Sequence, residues 1–202
     1  KSPESWRLVN NNKKDGQEIV FTLQGLIQDK NLPDRKINPG KAHLLQQAVT
    51  LTGLGTETFE SSMDALCKMH TIFSRQFPEG KLAPWQPVAS AWTTGRGLVL
   101  TNRYFTRRSE ANTMPSIPFS EGIDPRGILK KMLNNKMIHT EENEVKYYTR
   151  YADMARFRYI TSLPQIFRVG DLVEVQFSLV VYKMRDEQYI LKPMLYAIAL
   201  LD

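Results

Sequence analysis

Two stretches of the chain interleave arginine with aromatic residues. From Arg96 to Arg108 there are four arginines, Arg96, Arg103, Arg107 and Arg108, with no acid, and Tyr104 and Phe105 lie among them. From Lys146 to Tyr159 come Lys146, Tyr147, Tyr148, Arg150, Tyr151, Arg156, Phe157, Arg158 and Tyr159, with Asp153 the only acid. A guanidinium forks a phosphate and stacks on a base, and tyrosine and phenylalanine faces stack bases exposed in single strands. The pattern points to a nucleic acid or another polyanion. Arg96, Arg103, Arg107, Arg108, Arg150, Arg156 and Arg158 would contact phosphate, and Tyr104, Tyr148 and Tyr151 would stack. A plainer account competes. In a strand over 156–160, Arg156 and Arg158 face one way and Phe157 and Tyr159 the other, so the rings would be core and the arginines solvated.

Other chemistries find less support. The histidines, His43, His70 and His139, are far apart, and no pair has the i, i+4 spacing of a helical zinc site. His139-Thr140-Glu141 lacks the later His or Cys pair that a facial triad or a deaminase needs. No nucleophile elbow or phosphate loop is present, and Thr94-Gly95-Arg96-Gly97 reads as a turn before a strand. Cys67, the single cysteine, excludes an internal disulfide and reads as a small buried residue. The acids Glu141, Glu142 and Glu144 read as a solvated turn rather than a cation site. One catalytic alternative stays open. Glu144-Val145-Lys146 is a Glu-x-Lys on an expected strand, and with Asp124 upstream it would hold Mg²⁺ and position water in a nuclease. Asp124 has a second reading, as a helix cap.

The elements that would position these residues follow from periodicity. A strand is expected over 18–23, bounded by Gly16 and Gly25, and a loop over 28–41. A helix is expected from about Lys41 to Leu51, ended by Gly53 and Gly55. A second helix over 57–76 has Phe59, Met63, Leu66 and Phe73 on one stripe, with Thr56 or Thr58 at its start. Residues 78–92 form an irregular connection anchored by Trp85 and Trp92. A strand starts at Gly97 to Thr101, a loop covers 109–122, and Asp124-Pro125 opens a helix over 126–134. Strands follow at 144–151 and 156–160. The last two, 172–182 and 188–201, make a long antiparallel hairpin whose middle Pro193 demotes to an edge or a bulge.

Composition sets the frame. Of 202 residues, 42% are hydrophobic and 24% charged, as in a folded domain, which excludes wholesale disorder and collagen-like repeats. The net charge of +6 permits a polyanionic partner without requiring one. No apolar run reaches the ~20 residues of a membrane helix, and no signal peptide is visible. The start without Met reads as that of an excised piece of a longer protein. The lone cysteine favours an intracellular location, nuclear or cytoplasmic.

Several ordered blocks look familiar together. These are Asp124 to Leu129, His139 to Tyr148, Phe167 to Gln176 and Ala197 to Leu201. Over about residues 95–202 the chain resembles a multicopy, uncharacterised protein family of mushroom-forming (basidiomycete) fungi. That resemblance implies a fungal, intracellular source and supplies no catalytic residues. It also implies that the terminal hairpin is a scaffold.

The sequence therefore leads to a single α+β domain over 1–202, helix-richer over 1–94 and strand-richer over 95–202. Its core would be a twisted antiparallel sheet, open or partly closed into a barrel, with two or three packed helices. The function read from it is a non-enzymatic nucleic-acid-binding module for single-stranded DNA or RNA, with no cofactor, metal or membrane partner. The alternatives are a protein-interaction or self-assembly module, which would form a homo-oligomer, and the Mg-dependent nuclease built on Asp124, Glu144 and Lys146.

Overall fold

The computed structural model describes residues 4–10, 16–33, 44–111, 114–153, 156–184 and 186–201, with the backbone alone at 153 and 156. It is an α+β fold dominated by one large twisted sheet.

Five strands carry the core: β4 (Phe21–Asn31), β5 (Gln46–Thr52), β7 (Arg96–Arg103), β12 (Leu172–Lys183) and β13 (Tyr189–Leu200). They pair in a ring, β12 with β4, β4 with β5, β5 with β7, β7 with β13, and β13 back to β12. Strand alternation supplies the interior. On β12, Val173, Val175, Phe177, Leu179 and Val181 are buried, while Leu172, Glu174 and Gln176 turn outward. On β5 the buried positions are Gln47, Val49 and Leu51, and on β7 they are Leu98, Leu100 and Asn102. Most of these apolar side chains are fully buried, so closing the ring removes a continuous apolar face from water.

Smaller elements extend this frame. β1 (Ser5–Arg7) adds to β12, and β6 (Val88–Ala89) adds to β7. β2 (Val9–Asn10) pairs β3 (Gln17–Glu18), and β8 (Thr106–Arg107) pairs β9 (Met137–Ile138). β10 (Lys146–Asp153) and β11 (Arg156–Thr161) form an antiparallel hairpin. Only Lys146 to Thr149 of β10 pair with β13, opposite Ala197 to Leu200. The rest of β10 pairs with β11 alone, so the hairpin tip extends past the ring.

The helix α1 (Glu57–Ser74) packs its stripe of Phe59, Met63, Leu66 and Phe73 on the ring. Glu57 and Glu60 lie in its first turn, where the helix dipole favours acids. Thr56 is its N-cap residue, although its hydroxyl makes no capping bond. The last strand pair stands as expected; the helix expected over 57–76 runs over 57–74, and the connection expected over 78–92 includes strand β6.

Several expectations are corrected. The stretch read as a helix from Lys41 is strand β5 from Gln46, because Gln47, Val49 and Leu51 recur every second residue and the helical spacing of its apolar positions was incomplete. The part before Leu44 lies outside the described residues. The strand expected to end at Gly25 runs through it to Asn31, so the loop begins later. Gly25 stays inside the strand because the Phe59 ring packs over it; an added Cβ would sit 3.1 Å from that ring. The helix expected over 126–134 is short, α2 (Ile128–Met132), and Gly127 at φ 64° precedes it. Asp124 is not its N-cap, although its carboxylate accepts the Lys130 N–H at 2.7 Å. The sheet is mixed rather than all antiparallel, since β13 runs parallel to both β7 and β10. Pro193 sits neither on an edge strand nor at the bulge. The register slips at Tyr196, between the pairs Gln176↔Ala197 and Phe177↔Leu195.

Candidate nucleic-acid interface

The hairpin β10–β11 decides between the two accounts of its aromatic residues. Cross-strand partners share a face, so Tyr148, Arg150, Phe157 and Tyr159 lie together, and Thr149, Tyr151, Arg158 and Ile160 lie on the opposite face. These rings are not core. Phe157 is 63% exposed, Tyr151 54% and Tyr159 48%. Because β11 ends the sheet and the tip overhangs the ring, no further strand pairs beyond β11 among the described residues.

Specific contacts order this surface. The Arg150 guanidinium lies 4.4 Å from the Phe157 ring centroid, a cation–π arrangement. Tyr148 meets Tyr159 edge to face at 6.4 Å. The Tyr159 hydroxyl donates to Glu174 on β12 at 2.8 Å, and that bond raises the phenol's pKa. Gln24 holds the other Glu174 oxygen at 2.8 Å. Among the described residues, Lys146, Arg150 and Arg158 have no carboxylate partner. The hairpin thus presents exposed rings beside cations that no carboxylate neutralises among the described residues. Alternation along the strand left Phe157 and Tyr159 open to either account, and the overhang of a terminal sheet hairpin makes them surface. The side chain of Arg156 lies outside the described part.

The stretch 96–108 is different, and two of its assignments are corrected. Arg96 is occupied. Its Nε donates to Glu60 at 2.6 Å, its Nη1 to Asp64 at 2.7 Å and its Nη2 to the Glu60 carbonyl at 2.8 Å, while its backbone N–H reaches Glu60 at 2.9 Å. The acids missing from its own stretch come from α1. Tyr104 is 5% exposed, and burial pushes its phenol pKa far up, so its ring has no face for a base. Arg103 pairs with Glu110 at 3.0 Å, and Arg107 lies 3.8 Å from the same residue. Arg108 is exposed and has no ion-pair partner among the described residues. Among the described side chains, Arg150 and Arg158 belong to the hairpin, whereas Arg96, Arg103 and Arg107 belong to β7 and β8.

The three residues of the nuclease constellation are divided between two hollows. Glu144 precedes β10 rather than lying in it, and accepts a bond from the Ser120 hydroxyl at 2.6 Å. Lys146 shares a hollow with Glu144, whereas Asp124 lines a different one with Pro118, Phe119 and Lys130. Among the described residues no three His, Cys, Asp or Glu side chains gather as a metal ion would require. His139 is buried, with its Nδ1 2.8 Å from the Tyr104 carbonyl and its ring 4.2 Å from that of Phe119. His70 meets the Ala83 carbonyl at 3.0 Å. His43 lies outside the described residues. No helix among the described residues is long and apolar enough to cross a membrane.

No family model matches the chain, and no curated protein matches it. Among solved structures it is similar to the crystal structure of gp2.5, a single-stranded DNA binding protein encoded by bacteriophage T7, with a TM-score of 0.46 and 11% identity over 91% of each chain. A likeness at that score and identity carries no argument about what this chain binds.

Proposed function

We propose that this chain is a non-enzymatic module that binds single-stranded DNA or RNA across the β10–β11 hairpin. The supporting observation is the exposure of Phe157 and Tyr159 beside Arg150 on one face of an overhanging hairpin, with Tyr151 and Arg158 exposed on the other face. Leaving large rings in water forfeits their burial energy, about 25 cal/mol per Å² of apolar surface. A cluster of exposed rings marks a recognition surface. Stacking suits single strands because every base offers a π-face, and the reading therefore specifies a class of ligand rather than a base sequence. Tyr148, half-buried at the base of the hairpin, borders a cleft of about 580 Å³ that Lys146 and Gln176 also line. Arg96 and Tyr104 have no part in this interface.

The test is a titration of a fluorescent single-stranded oligonucleotide at two salt concentrations. Saturable binding that weakens as salt rises is expected. No saturable binding at low salt overturns the proposal.

A self-assembly reading draws on the same hairpin, because β11 leaves one edge unpaired among the described residues and Ile160 is 52% exposed. It differs in predicting a discrete oligomer without nucleic acid, which sedimentation would detect.

A further inference from the structure

β8 and β9 bring like charges together. Arg107 stands opposite Met137, and one residue further on the Arg108 N–H donates to the Lys136 carbonyl at 2.8 Å, so Arg108 lies next to Lys136. Like charges opposed across a strand pair destabilise it. Glu110 does not relieve this pair, because it meets Arg103 at 3.0 Å and Arg107 at 3.8 Å. Among the described residues neither Arg108 nor Lys136 has an acid partner.

α2, which leads into β9, extends the positive charge. From Pro125 to Thr140 the chain carries Arg126, Lys130, Lys131 and Lys136 and no acid. All four are exposed. Lys130 is set aside, since it lines a hollow with Glu121 and Asp124. The other three are held close to one another. α2 has five residues, about 7.5 Å of helix at 1.5 Å per residue. A tight turn follows it, closed by backbone bonds between Asn134 and Met137 and by the Asn134 Oδ1, which accepts the Lys136 and Met137 N–H groups at 2.8 and 3.0 Å. Lys136 is thereby delivered beside Arg108.

The chemistry of this surface selects among polyanions. No aromatic or large aliphatic side chain is exposed among the described residues of 106–138. Unstacked bases, an amphipathic helix and a lipid surface would each look for apolar contact. A duplex has its bases stacked inside and presents phosphates, which bind cations with release of counterions.

We propose that Arg108, Arg126, Lys131 and Lys136 form a docking surface for the phosphate backbone of a nucleic-acid duplex. The contact reads charge and not base sequence. It is separate from the hairpin and does not rest on strand binding there.

A short blunt DNA duplex is titrated at about 50 and about 200 mM salt, with poly-glutamate as a second ligand. Saturable duplex binding is expected, and four neutralised phosphates predict a loss on the order of 100-fold between the two salt concentrations. The double variant Arg108→Gln, Lys136→Gln should bind at least tenfold more weakly and melt no lower than the wild type, because it removes opposed charge. Lys131→Gln, on α2, should reduce the slope of log affinity against log salt by about one. Phe157→Ala should bind the duplex as the wild type does. The proposal is overturned by absence of saturable binding at low salt, by unchanged affinity in the double variant, or by an unchanged slope in Lys131→Gln. It is also overturned if Phe157→Ala loses the duplex, which would place it on the hairpin. Poly-glutamate binding as tightly as the duplex through the same residues would make an acidic polypeptide the partner instead. Strand binding by the hairpin is read separately, with a single-stranded oligonucleotide.

Discussion

Replacing Arg96 by alanine strips Glu60 and Asp64 of their cation and releases the tie between α1 and β7. The expected outcome is a lower thermal midpoint with wild-type oligonucleotide affinity, read by melting and by titration. A phosphate role would give the reverse. Arg96 was the hardest residue to judge from sequence, because the carboxylates that occupy it lie more than thirty positions away on another element. His139 is a second case. Burial holds its imidazole below the ordinary pKa of 6.5, against the favourable bond to Tyr104 and the charge of Glu144. As pH falls through about 6.5 the unfolded chain takes up a proton that the folded chain refuses, so stability declines on acidification down to the folded pKa. Melting should show the midpoint falling from about pH 7.5 to about 5.5, and His139→Gln should lose that part of the slope. Glu18 does not confuse the result. Burial opposes its ionisation, but the bonds from Tyr196 and Ser178 and the charge of Arg7 carry its pKa below the ordinary carboxylate value, so its contribution is lost only in stronger acid.

At the scale of elements, α1 tests how the ring is packed. An added Cβ at Gly53 would lie 2.2 Å from Phe59 Cβ, so Gly53→Ala must push the start of α1 away from β4 and β5. Overpacking of this kind costs about 1–3 kcal/mol, which urea unfolding would measure. Much of this architecture was legible: α1 and the β12–β13 hairpin have long, clean periods, and the strands of the β10–β11 hairpin were placed within two residues. β5 was not, because Ala48, Val49 and Leu51 fit a helix face nearly as well as a strand, and only its pairing with β4 and β7 decides the matter. The two faces of β11 were read correctly from alternation, but which face is buried depends on whether a partner layer exists. At the end of the sheet neither face has one. That fact belongs to topology and explains why Phe157 and Tyr159 could not be assigned to the surface beforehand.

At the scale of the whole molecule, a net charge of +6 is a poor guide to where a polyanion sits. Within 96–108, Arg96, Arg103 and Arg107 are paired with acids from α1 and with Glu110, whereas Arg108, and on the hairpin Lys146, Arg150 and Arg158, have no acid partner among the described residues. Three phosphate contacts on a single strand release few counterions, so affinity should fall on the order of 20-fold between about 50 and about 200 mM salt. A much steeper dependence would require the arginines of β7 and β8 as well. Sedimentation without nucleic acid should show one species at the monomer mass of 23.3 kDa; a discrete oligomer would favour assembly through β11.

The most direct measurement of the central claim is the affinity of a labelled single-stranded oligonucleotide for the wild-type chain and for Phe157→Ala, side by side at low salt. Phe157 is 63% exposed, so its ring contributes little to the fold and the variant should melt as the wild type does. Loss of one stacked base costs about 1–3 kcal/mol, which predicts binding weaker by about 5- to 150-fold. Equal affinity in the two proteins would contradict stacking on the hairpin.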